Sequence, residues 1–333
     1  MVSSEEPVRW GIVGTGHIAS AFVADLALLP DAEVVAVGSR SQQTADAFAD
    51  RFGLPRRHPS YEALFADPDV DVVYVSTPHP GHYPACALAL DAGKPVLCEK
   101  PFTLNAGEAA QLVSQARRSN LFLMEAMWTR FLPHVVRIRE LLAAGALGEL
   151  SSLQADHGQW FPPDPANRLF APELGGGALL DLGIYPVSFA SMVLGTPTAV
   201  TAVSTPAFTG VDGQTSMLLQ HENGSHAVLN TTSLARTPTR AAIVGTEARI
   251  EIDATWYAPT TFSVISRDDV LVERFEMPHE GRGLRHQAAE VGRCLRAGEL
   301  ESPVMPLDET VAIMGTLDEV RRQIGLVYPS EGA

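Results

Sequence analysis

The sequence predicts an α/β protein of two domains. The first, over residues 1–125, is a doubly wound parallel sheet, and the second, over 126–333, is an α+β domain on a mostly antiparallel sheet. Three observations carry this. Short apolar runs alternate with helical patterns in the first third of the chain. A glycine-rich turn joins the first run to the first helix. After about residue 150, runs rich in Thr, Val, Ser and Ile follow one another with little helix between them. Alternation of strand and helix argues for a parallel sheet covered on both faces, and consecutive strands argue for antiparallel pairing.

Val8 to Val13 reads as the first strand, and Ile18 to Leu29 as a helix stopped by Pro30. Val34 to Val37 is a second strand, and Thr44 to Phe52 a helix closed by Gly53. Val70 to Val75, Pro95 to Cys98 and Leu121 to Met124 are further strands, with a helix over Pro84 to Ala92 that Gly93 ends. In the second domain a helix over 178–194 precedes strand segments 198–208, 214–221, 225–233 and 241–252. Asn223-Gly224 is a two-residue hairpin signal. Two late helical patterns, 283–297 and 308–325, can pack on either domain.

Composition narrows the function. Net charge is −15, against the clustered Lys and Arg that nucleic acid or an anionic membrane demands. Hydrophobic content of 46% and charged content of 19% describe a folded globular chain. Cys86, Cys98 and Cys294 are odd in number and far apart, so neither a disulfide framework nor a metal site is expected. Met1 to Pro7 lacks a basic segment and an apolar run, and no uninterrupted apolar run has membrane-spanning length. The expectation is a cytoplasmic protein.

The turn after the first strand is Gly14-Thr15-Gly16-His17-Ile18-Ala19, a G-x-G-x-x-A dinucleotide fingerprint. Gly14 permits the turn, Gly16 lets a pyrophosphate approach the backbone, and Ala19 lets the helix pack closely. The second strand ends in Ser39-Arg40, where an NAD site usually carries an acid for the ribose hydroxyl. A hydroxyl and a guanidinium suit a 2′-phosphate, so NADP(H) is expected over NAD(H).

Thr77-Pro78 and Glu99-Lys100-Pro101 each end a strand, at the sheet edge where ligands bind. His82 is placed within reach of the nicotinamide side, and His79 reads as a loop histidine at a helix start. Lys100 is a cation at that edge, able to lower the pKa of a neighbouring hydroxyl acid. Gly175-Gly176-Gly177 opens a helix that carries Asp181 and Tyr185, four apart and so on one face. Pro186 removes a backbone donor there. Lys100, Asp181 and Tyr185 together suit carbonyl/alcohol redox chemistry, with a tuned phenol as acid/base. Trp128, Arg130, Trp160, Phe161 and Arg168 are candidate pocket residues.

These motifs together resemble the glucose–fructose oxidoreductase / inositol 2-dehydrogenase (Gfo/Idh/MocA) family over nearly the whole chain. Tyr185, where many members carry His, and Met124 to Phe131 resemble the branch of dihydrodiol, D-xylose and glucose–fructose oxidoreductases. The resemblance implies a large open sheet in the second domain and a usual cofactor of NADP. It implies Lys100 and Tyr185 as catalytic pair, Asp181 as substrate-orienting, and a sugar or cyclic trans-diol substrate. It also implies oligomers, at least dimers, through the open sheet. Two other readings remain. One is a cofactor-binding regulator without chemistry, and the other an enzyme using bound NAD transiently for lyase or glycosidase steps.

Overall fold

The computed structural model describes residues 6–331, so most of the stretch read for a leader lies outside the described residues. Met1–Trp128 with Glu280–Val311 form one compact unit, and Thr129–His279 with Ala312–Ala333 a second.

The first unit contains β1 (Val8–Val13), α1 (His17–Leu26), β2 (Ala32–Gly38), α2 (Gln42–Phe52), β3 (Arg56–His58), α3 (Tyr61–Phe65), β4 (Val72–Val75), α4 (His82–Asp91), β5 (Val96–Glu99), α5 (Ala106–Ser119) and β6 (Leu123–Ala126). Its six strands are parallel, in the order β3-β2-β1-β4-β5-β6. β4, β5 and β6 are buried along their whole length, as strands covered on both faces must be. Trp10, Phe22 and Tyr74 anchor this core, with the Phe22 and Tyr74 rings stacked at 3.8 Å. The strand order reverses between β1 and β4, and Val13 pairs with Val75 at their carboxyl ends. That crevice is where doubly wound sheets bind their ligands.

The second unit contains α6 (Pro133–Ala143), β7 (Leu150–Gly158), α7 (Ile184–Leu194), β8 (Ala199–Pro206), β9 (Asp212–Gln220), β10 (His226–Thr232), β11 (Ala241–Gly245), β12 (Ala248–Ile252), β13 (Phe262–Ser266) and β14 (Leu271–Phe275). They form an eight-stranded sheet, β14-β13-β12-β11-β7-β10-β9-β8. Every pair is antiparallel except β7 with β10. The Asn223-Gly224 turn joins β9 to β10, with Gly224 at φ 83°. The segment read as one strand over 241–252 is two, β11 and β12, paired as a hairpin. One sheet face carries buried residues such as Leu153, Leu229, Ile243 and Ile250.

Of the two late helices, α8 (Arg285–Ala297) belongs to the first unit, and the unit boundary falls within α9 (Leu307–Ile324). Among the described residues one helical stretch, Pro172–Leu194, is long and apolar enough on average to cross a membrane, but Glu173 and Asp181 interrupt it and 83% of its apolar window is buried in the fold. A helix apolar on all sides is a core helix when protein surrounds it.

Two histidines are buried neutral. His134 donates through Nε2 to the Trp256 carbonyl at 3.0 Å, and burial pushes its pKa down to about 4. Burial also takes His82 down to about 4. A depressed pKa gives stability that is present above the unfolded value of 6.5 and lost as pH falls towards 4. Urea denaturation between pH 7 and 4.5 is therefore expected to lose up to about 2 kcal/mol for each histidine. His134→Gln keeps a donor for the carbonyl and should lose its share of that slope. An unchanged slope in the variant contradicts the assignment.

Candidate active site

The first unit supplies a cradle at the ends of β1 and β2. Gly14 has φ 99°, and its N–H donates to the Gly38 carbonyl at 3.0 Å. A side chain there would crowd the Ser76 carbonyl at 3.2 Å. A Cβ on Gly16 would meet no atom within 4 Å, so this face of the turn is open. α1 starts at His17 with no side-chain cap and no acid in its first turn, a lack shared by α4, α6, α7 and α8, whereas Ser41, Ser60 and Asn105 cap α2, α3 and α5. Uncapped N–H groups and the positive helix end suit a diphosphate. Thr15 and Ile18, on either side, are half-buried. At the end of β2, the Ser39 hydroxyl shares a 2.5 Å hydrogen bond with that of Thr44. Arg40 is exposed near Tyr61. These residues fit an adenine dinucleotide.

His82 sits between the ends of β4 and β5. It is 1% exposed, with ring nitrogens 2.8 Å from the Thr77 and Pro101 carbonyls. The two carbonyls favour the charged ring, but complete burial outweighs them, and the imidazole is neutral at pH 7. A neutral imidazole carries one N–H, so His82 donates to one of these two carbonyls and sits between the Thr77-Pro78 turn and the turn after Lys100, while His79 lies edge-on to it, also buried. The Lys100–Pro101 peptide is cis. Glu99 is buried, takes the Tyr74 phenol proton donor on Oε1 and the Lys100 N–H on Oε2 at 3.2 Å. From β6, buried Glu125 accepts the Phe102 N–H at 3.2 Å. Lys100 is half-buried between these fixed backbones.

The second unit supplies the Asp181 and Tyr185 side chains. Leu179–Gly183 is a π-helical turn that leads into α7, and Pro186 follows in the first turn of α7. The missing proline N–H is thereby absorbed by a wider turn rather than by a break. The triglycine segment before it is gripped from two sides. Asp212, on β9, accepts from the Leu179 N–H at 2.8 Å and the Thr215 hydroxyl at 3.0 Å. Tyr328 donates to the Gly176 carbonyl at 2.8 Å. Gly177 has φ 120°, and a Cβ on it would lie 2.1 Å from Asp212 Oδ1, so no other residue fits. Burial raises the Asp212 carboxyl to about 6.

Asp181 is buried and takes a two-pronged ion pair from Arg168, at 3.0 and 3.2 Å. Tyr185 is buried in an aromatic cluster. Its ring lies 5.0 Å from His157, edge-on, and 5.1 Å from Tyr257. His157 stacks on Tyr257 at 3.8 Å, and the Gln159 amide donates to His157 Nε2 and the Tyr257 hydroxyl, both at 2.9 Å. A phenol so confined is aimed by its neighbours and shielded from water.

Other predicted residues are placed more diversely. Trp128 is nearly buried. Arg130, 2% exposed, donates to the hydroxyl and carbonyl of Ser188 on α7, at 3.1 and 2.8 Å. Phe161 packs on Leu169, Phe170, Ala207 and Val211, while Trp160 is exposed. The sequence reading did not single out Glu125, His157, Asp212, Tyr257 or Tyr328. Glu125 alone left a signal, as a charge within an apolar run.

The comparisons agree with this architecture. Residues 8–127 match the oxidoreductase family with NAD-binding Rossmann fold, and residues 135–251 match the GFO/IDH/MocA C-terminal domain. Relatives described as trans-1,2-dihydrobenzene-1,2-diol dehydrogenase include those of Mus musculus, 40% identical over 97% of this chain and 99% of that protein, and Xenopus tropicalis, 39% identical over 96% and 99%. A 3-ketoreductase from Actinomadura kijaniata, crystallised with NADP and TDP-benzene, superimposes with TM-score 0.84 at 28% identity, over 96% of this chain and 98% of that one. An aldose-aldose oxidoreductase from Caulobacter crescentus gives 0.86 at 25% identity, over 96% and 97%. With the fingerprint at the switch point of a parallel sheet and this likeness over nearly its full length, the chain belongs to the Gfo/Idh/MocA family of NAD(P)-dependent oxidoreductases.

Proposed function

We propose that the chain is an NADP(H)-dependent dehydrogenase that moves hydride to or from a CH–OH carbon of a cyclic trans-diol or a sugar. The observation that carries this is Tyr185, a phenol caged by His157 and Tyr257, on the same helical segment as the Arg168-held carboxylate of Asp181. The diol class is supported by the names of the relatives, and the sugar class by those of the structural neighbours.

The cofactor, when bound, accepts or supplies the hydride at its nicotinamide ring. Tyr185 takes the proton of the substrate hydroxyl during oxidation and returns one during reduction. A phenol has an ordinary pKa of about 10, so it needs help to act as a base near neutrality. In the catalytic pair that the family resemblance implies, Lys100 is the cation that favours the phenol's anion. Asp181, kept as an acceptor by the Arg168 fork, orients a neighbouring substrate hydroxyl.

NADP(H) is favoured because Arg40 is exposed at the end of β2, where an acid would otherwise bind the ribose. A homodimer through the open face of the eight-stranded sheet is favoured by exposed Val203, Leu218 and Val228 on β8, β9 and β10. Leu218 is the cross-strand partner of Val228.

Tyr185→Phe and Lys100→Met should each lower kcat by about a hundredfold or more, within the usual range for acid–base groups, with the Kd for NADPH unchanged. Near-normal turnover in both would refute the roles. Arg40→Gln should weaken NADPH by about tenfold and leave NADH alone, as the loss of a charge-assisted contact predicts. Equal affinity of the parent protein for both cofactors would end the preference. Light scattering should give a dimer mass that Val228→Arg reduces to that of a monomer; a parent protein that is already monomeric rules out this interface.

A further inference from the structure

Arg282 lies in Glu280-Gly281-Arg282-Gly283, just before α8, more than 260 residues after the fingerprint. The loop is built and not merely tethered. Gly281 and Gly283 have φ of 67° and 90°, which lets the chain double back on both sides of the arginine. Asp25, a carboxylate on α1 that is 3% exposed, accepts the Arg282 N–H at 2.7 Å and the Arg285 N–H at 3.2 Å. A Cβ on Gly281 would sit 2.2 Å from Asp25 Oδ1, so the close approach needs glycine. The result is that the guanidinium reaches His17, the first residue of α1, with Nη1 donating to His17 Nε2 at 3.2 Å.

Electrostatics gives this contact no internal purpose. The guanidinium meets an imidazole and has no carboxylate within ion-pair distance among the described residues. By contrast, Arg296 on the following helix pairs with Asp31, and Arg293 with Glu290 and Glu299. What Arg282 and His17 share is the uncapped end of α1, which carries no acid in its first turn. A buried aspartate thus fixes the backbone of a loop whose one cation is aimed at a helix end already suited to a diphosphate.

We infer that Arg282 is a further cofactor-binding residue that closes over the pyrophosphate of the dinucleotide, an inference that rests on the dinucleotide reading of the fingerprint. Its place beside His17, away from Arg40 on the ribose side, makes it serve NADP(H) and NAD(H) alike.

The test is titration of the full-length protein with NADPH and, separately, NADH, followed by cofactor fluorescence, for the parent, Arg282→Gln, Arg282→Lys and Arg40→Gln. Arg282→Gln should raise the Kd for both dinucleotides by about tenfold, and Arg282→Lys by less. Inorganic pyrophosphate should compete with NADPH for the parent at lower concentration than for Arg282→Gln, and equal competition in the two would count against the assignment to the pyrophosphate. The thermal midpoint of the cofactor-free protein should not move, because Asp25 holds the loop through its backbone. Unchanged Kd values for both cofactors in Arg282→Gln would overturn the inference, and a loss confined to NADPH would overturn the assignment to the pyrophosphate. A parent protein that binds neither dinucleotide refutes the cofactor reading itself, a result distinct from either.

Discussion

Several of the turns around the proposed site are held by buried side chains bonded to their backbones. A buried N–H or carbonyl needs a partner, and at a turn the sheet or helix no longer supplies one. His82 faces the Thr77 and Pro101 carbonyls, and Glu125 takes the Phe102 N–H. Asp212 takes the Leu179 N–H, and Tyr328 serves the Gly176 carbonyl. Asp25 takes two N–H groups of the loop before α8. Loops carry function because a rigid scaffold positions them, and here the scaffold reaches them through these bonds.

The same constraint explains what was legible in the sequence. The fingerprint and the Glu99-Lys100-Pro101 turn are local patterns whose geometry follows from a few adjacent residues. The partners that hold them are not local. Tyr328 is 152 residues from Gly176, and Asp212 is 33 from Leu179, and nothing in the spacing announces either pair. The parallel pairing of β7 with β10 is likewise a property of the assembled sheet. Some signals were present but unread. Asn105 caps α5 by accepting from the Glu108 N–H at 2.9 Å, and Glu108 accepts from the Leu104 N–H at 3.1 Å, yet α5 was not read between the strands it connects. β13 and the edge strand β14 are short, and three of the five residues of β14 are exposed, so their apolar pattern is weak.

The helical stretch that carries Asp181 and Tyr185 shows why polar residues in apolar surroundings are informative. Ile184 to Ser191 are all buried, so composition alone makes this helix look like a membrane span. A carboxylate there demands a counterion, and Arg168 provides it with both of its terminal nitrogens. Burying a charge that way is a weak route to stability, which makes a role in holding that carboxylate at one orientation the better physical account of its presence.

Charge distribution sets the final constraint. With a net charge of −15, the chain repels a polyanionic cofactor at long range, so attraction has to come from cations kept clear of carboxylates. Arg168, Arg293 and Arg296 are tied up in ion pairs and cannot serve. Arg40 is exposed at the end of β2, and Arg282 is held against His17 by a bond that offers it no negative charge. In the proposed arrangement Arg40 serves the 2′ position of the ribose and Arg282 the diphosphate. Separating them lets selectivity between cofactors and affinity for either be set by different residues. On this proposal a change at Arg40 alters which dinucleotide is chosen, while the helix end and Arg282 continue to hold the diphosphate common to both.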